Sequence, residues 1–112
     1  MSELQSVNIQ LRVAAITKLL RNHPTVLARL LAKDGTTINL ASTPESMDLY
    51  DPEEILVRVA WDIWNGAGET EFHKILHEIS LQDFDAFIDA MVAFKALRQK
   101  IEHLYASGAE DD

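Results

Sequence analysis

His73 and His77 stand four residues apart in "EFHKILHEIS", the spacing at which two imidazoles on one helix face can reach a single metal ion. Glu69 lies one turn earlier, and Asp85 or Asp89 could add an oxygen ligand. The pair lacks the intervening glutamate that would serve as a general base in a metal-dependent hydrolase. On a helical wheel both histidines point roughly 110–150° away from the apolar centre formed by Phe72, Ile75, Leu76 and Ile79. They are therefore expected to be solvated, and no cofactor is expected. A metal-binding module using His73 and His77 stands as an alternative reading.

Asp83, Asp85 and Asp89 form a second cluster of groups able to move protons. Asp83 is better explained as a first-turn acid at the positive end of a helix, and Asp85 and Asp89 as polar positions between apolar seams. No serine or threonine has the surroundings of a nucleophile, and no phosphate-cradling or nucleophile-elbow pattern occurs. The residues give no support for an enzyme. "NGAGETEF", residues 65 to 72, contains a Gly-x-Gly ahead of a helix, which can offer backbone N–H groups to an anion. Yet a helix precedes it, nothing basic flanks it, and Glu69 and Glu71 would repel phosphate. A corner between two helices is expected.

The residues with most chemistry to offer are those suited to recognition. Arg58, Trp61 and Trp64 sit together, and interfaces enrich arginine and tryptophan as anchors. A polar ridge of Glu54, Arg58, Asp62 and Asn65 accompanies them, and at least one tryptophan is expected in the core. Phe87, Phe94, Leu97, Ile101 and Tyr105 add apolar positions farther along the chain, several of which must also serve the core. "ITKLLRNHPTVLARLLAK" has two helical segments and several cations, which invites a helix-turn-helix reading. Pro24 opens the second segment, which carries only Arg29 and Lys33, too few polar side chains to read bases.

The elements that must position these residues are helices. Ser2 and Gln5 form a capping box ahead of a helix running to about Arg21, although Val7 to Val13 alternates like a strand. A shorter helix follows Pro24, with Gly35 placed to close it. Residues 34 to 50 lose periodicity and read as a long irregular loop, either functional or flexible, within which "TINLA" could pair as a strand and Thr43 could cap a single turn. "DPEE" starts the central helix, with Asp51 as cap and Gly66 as stop. Its apolar residues sweep about 240° of the circumference, as in a helix enclosed by neighbours. A short helix from about Phe72 and a long one capped by Ser80 complete the chain and end near Gly108. In the long helix Phe84, Met91 and Tyr105, then Phe87, Phe94 and Ile101, then Leu97 and Leu104 define three adjacent seams, more than one packing partner covers.

The 112 residues fit one domain, residues 1–108, followed by the acidic disordered tail 109–112. At this size folding buries roughly 65% of the unfolded surface, enough for a core without staples. The absence of cysteine excludes disulfides, thiolate nucleophiles and zinc–cysteine sites. The polar N-terminus does not read as a secretory signal, so a cytoplasmic location is expected. The net charge of −8 is divided unevenly: residues 1–33 carry +4 and residues 34–112 carry −12. The halves either attract one another or meet charged partners.

Together these readings point to an all-α bundle of four to five helices. Its expected work is binding a protein partner, or itself as a homo-oligomer, through apolar helix faces. Membrane contact is not expected, and nucleic acid is a poor fit to the acidic balance. The alternatives are an acidic inhibitor or nucleic-acid mimic acting on a basic protein, the metal-binding module, and a DNA-binding regulator using the basic N-terminal helices.

Overall fold

The computed structural model describes residues 3–106. It contains five helices: α1 (Glu3–Leu19), α2 (Pro24–Leu30), α3 (Asp51–Asn65), α4 (Phe72–Glu78) and α5 (Leu81–Ala106). The fold is a small all-α bundle with no strands among the described residues. No helix there is long and apolar enough to cross a membrane. The expected Ser2 cap, the helix end at Gly108 and the tail 109–112 lie outside the described residues.

α1 and α5 form the principal helix pair and run antiparallel. Arg21, just past the end of α1, bonds Asp89 near the start of α5, while Arg12, farther back, stacks on Phe94 farther forward. Alanines set the close approach: Ala15 on α1 and Ala86 and Ala90 on α5 are fully buried. The alternating segment Val7, Ile9, Leu11 and Val13 is helical. Wound into a helix, alternation scatters apolar residues around the circumference, and each of the four is left half-buried.

α3 is the centre of the core. Ile55, Leu56, Val57, Val59, Ala60, Trp61 and Ile63 are all buried, so this helix is enclosed on most sides, as its broad apolar sweep requires. Each fully buried large side chain contributes about 1.5–3 kcal/mol relative to exposure. Ile16, Leu19 and Leu20 pack with it from the first corner, Val26 and Leu30 from α2, and Ile75 from α4.

Two expected helix ends move. Asp51 is the first residue of α3 rather than its cap; Tyr50 holds the cap position without a side-chain bond, so Asp51 acts with Glu53 and Glu54 on the helix dipole. Gly35 does not close α2, which ends at Leu30 with an extended Leu31. Gly35 instead makes a tight turn at φ 74°, inside an antiparallel bridge between Leu31 and Ile38. Of the strand pairing considered for "TINLA", this isolated bridge at Ile38 is what forms, and no strand develops from it among the described residues. Gly66 does stop α3, in the left-handed conformation at φ 80°.

The connection over residues 34–50 is a packed strap. Ile38, Pro44 and Met47 are buried. Ser42 Oγ donates to Arg29 O at 2.7 Å, Arg29 Nη2 donates to Met47 O at 2.7 Å, and Trp61 Nε1 donates to Ser42 O at 2.9 Å. Thr43 Oγ1 accepts from Ser46 N at 3.2 Å and caps the expected single turn.

Candidate functional site: a groove walled by three helices

The corner "WDIWNGAGETEF" is built around Asp62. Its carboxylate accepts hydrogen bonds from Gly68 N at 2.8 Å, from Thr70 N at 3.1 Å and from the Thr70 hydroxyl. Arg58 Nη1 donates to Gly68 O at 3.2 Å, so two side chains of α3 grip the returning loop from one side. No anion is cradled: the backbone N–H groups a Gly-x-Gly could offer a ligand are turned onto an internal carboxylate.

Burial by itself raises the Asp62 carboxyl, but the bonds from Thr70, Gly68 and Glu69 outweigh it and hold its pKa below the ordinary 3.8. A depressed folded-state pKa means that the unfolded chain takes up the proton first on acidification. The stabilisation is complete above the unfolded value and is lost as pH falls through the folded one. Asp62→Asn is therefore expected to melt below the wild type by a constant margin above about pH 5, with the margin narrowing further into acid. Melting curves across that range check this; a margin independent of pH would remove the carboxylate's role.

This corner delivers Phe72 to the mouth of an apolar groove of about 350 Å³. Val59 and Ile63 of α3 and Ile75 of α4 form one side, and Phe87, Met91 and Phe94 of α5 the other, with Asp62 and Thr70 on the rim. Phe72 is 65% exposed, while Phe87, Met91 and Phe94 are half-buried against the core. Phe84 supports Phe87 edge-on, their centroids 6.2 Å apart.

Arg12 fastens the two walls. Its guanidinium lies 5.4 Å from the centre of the Phe94 ring and donates to the Ile63 carbonyl at the C-terminal end of α3. Asn8 accepts from its Nε. A second polar tie holds the start of α5: His23 Nε2 lies 2.9 Å from buried Asp83, and its Nδ1 lies 3.6 Å from Glu53 on α3. Ser80 Oγ accepts from Asp83 N and caps α5, as expected.

The residues singled out in the sequence divide among different places. Phe87 and Phe94 line the groove. Trp61 and Leu97 are buried and belong to the interior, and Trp64 is half-buried against the core. Arg58 pairs with Glu45 at 3.3 Å and Glu54 at 3.6 Å while holding the corner. Ile101 is half-buried and Tyr105 exposed on the distal part of α5. His73 and His77 are exposed, and no group of three metal-ligating side chains occurs among the described residues. Glu69 is not a turn earlier on their helix: it sits in the corner with φ 53°. Asp83 does more than favour a helix dipole, since its carboxylate is buried against His23.

A smaller polar cavity of about 170 Å³ lies beside the corner, lined by Glu54, Arg58, Glu69, Thr70, Glu71 and Lys74. Arg58 and Lys74 pair there with Glu54 and Glu71, so its charges answer one another. The three N-terminal arginines are likewise engaged within the molecule. Arg21 bonds Asp89, Arg29 bonds a carbonyl of the strap, and Arg12 serves α3 and α5.

Sequence reasoning missed Phe72, Val59, Ile63, Ile75 and Met91 as one surface because three separate helices supply them. Their apolar character was visible; their convergence was not. Arg12 and His23 gave no signal beyond their charge.

Fold and site together define a small all-α protein with an open aromatic groove walled by three of its helices. No family model, curated protein or solved structure matches the chain.

Proposed function

We propose that this protein is an interaction module, taking apolar side chains from one face of a partner protein's helix into the groove between α3, α4 and α5. The observation that carries this reading is Phe72, exposed at the mouth above Phe87, Met91 and Phe94. An exposed aromatic beside a preformed apolar cleft is how helix-in-groove recognition supplies its anchors. A groove of about 350 Å³ accommodates one or two large side chains. Residues 34–112 carry all three walls and a balance of −12, which favours a partner whose helix has basic flanks. The same acidity supports a second reading, an inhibitor of a basic target protein, whose binding would weaken steeply with salt.

Phe72→Asp tests the groove without touching the buried core. The control is Leu40→Asp, because Leu40 is 69% exposed but sits on the strap, away from the groove. Proteins retained from native lysate by the wild type and by Leu40→Asp are expected to be lost by Phe72→Asp, with all three chains melting alike. Identical captures by the three chains would sink the reading.

A further inference from the structure

Along the solvent side of α5, Leu81, Asp85, Ile88, Val92, Lys95 and Gln99 follow one another at alternating steps of four and three. That is the spacing of the two core positions of a coiled coil. All six are exposed; Leu81 is 85%, Ile88 46% and Val92 62% accessible. The stripe lies roughly 110° around the helix from Phe87, Met91 and Phe94, and nearly opposite the buried Ala86, Ala90 and Leu97. It is therefore a different surface from the groove, and its role is independent of anything the groove binds.

The stripe is self-complementary in reverse. Read forward from Leu81 it runs apolar, acid, apolar, apolar, base, polar, with Asp85 and Lys95 equidistant from Ala90. Asp89 is taken by Arg21 and Glu102 by Arg98, whereas Asp85 and Lys95 make no salt bridge among the described residues. Ten residues, roughly 15 Å along the axis, prevent them from pairing with each other.

We infer that this stripe is a dimer interface, in which two copies of the chain pack α5 antiparallel about a two-fold axis level with Ala90. In that register Ile88 meets Val92 of the second copy, Asp85 meets its Lys95, and Leu81 meets its Gln99, each layer repeated by symmetry. These are the cross-layers an antiparallel coiled coil forms, and the interface is isologous, as a closed dimer requires. A parallel pairing would set Asp85 against Asp85 and Lys95 against Lys95. A slip of one heptad towards the C-terminus would set Asp85 against Glu102 of the second copy and Lys95 against its Val92. The two ion pairs fix orientation and register, while Ile88, Val92 and Leu81 supply the apolar contact.

The test is sedimentation equilibrium of the full chain from micromolar to millimolar concentration, with circular dichroism to follow the fold. A monomer–dimer equilibrium is expected. Asp85→Lys alone and Lys95→Asp alone each turn two symmetry-related attractions into repulsions and should weaken association about tenfold or more. The double exchange, Asp85→Lys with Lys95→Asp, should restore it with helicity unchanged throughout. A chain monomeric at every concentration would overturn the proposal, as would a dimer indifferent to either single reversal or not rescued by the double exchange. A dimer abolished instead by Phe72→Asp would assign self-association to the groove and overturn it as well.

Discussion

Gly68→Ala is expected to lose about 3 kcal/mol of stability, although it adds one methyl group. A Cβ at this position would lie 1.8 Å from the carbonyl oxygen of Arg58 and 2.9 Å from the Asp62 carboxyl carbon. The first of these is helix backbone, which cannot rotate away as a side chain could. The loop would have to lift from α3, and lifting it breaks the bonds that Asp62 and Arg58 make to Gly68 and Thr70. Gly66→Ala provides the comparison. Gly66 has open space around it, and its substitution costs only the left-handed conformation, about 1 kcal/mol. Urea denaturation of both variants should show the larger midpoint shift for Gly68→Ala. The reverse order would mean that the corner yields easily and does not fix where Phe72 stands.

His23→Ala should cost a comparable amount, about 3 kcal/mol, for an electrostatic reason. Asp83 is buried, and its carboxylate is satisfied chiefly by His23 Nε2, with Asn22 Nδ2 farther away at 3.3 Å. Removing the imidazole leaves a carboxylate in the interior facing a void, and the loss of its compensating partner dominates the cost. The pair itself contributes much less than that loss suggests. Replacing both residues, His23→Leu with Asp83→Leu, should recover most of the stability, because two apolar groups leave no charge to satisfy. A double-mutant cycle by chemical denaturation at neutral pH separates the cases. Equal destabilisation of the single and double variants would show that packing at the corner, and not the stranded carboxylate, sets the magnitude.

These two positions illustrate how unevenly the molecule can be read from its residues. Gly66 and Gly68 were both legible as turn glycines, yet only the approach of Arg58 O makes Gly68 indispensable. The acids of "GETEF" spoke against an anion site, while Asp62 as the organiser of the corner was hidden, since its partners lie across a reversal of the chain. The strap over residues 34–50 lacked periodicity and so offered loop or flexibility as readings. Its order comes from Ile38, Pro44 and Met47 packing under it and from side chains of α2 and α3 bonding its carbonyls.

The sequence by itself determined the all-α class, the identity of the enclosed central helix and the stop at Gly66, because these depend on local spacing and backbone preference. It also marked α5 as having more apolar surface than one neighbour could cover. Which part of that surface meets α1, which lines the groove and which faces water was decided only by tertiary packing. Ala86 and Ala90 let α1 approach on one side, and Asp62 places Phe72 on another. Side-chain periodicity states how many faces a helix has; the shape and size of its neighbours determine which face each one takes.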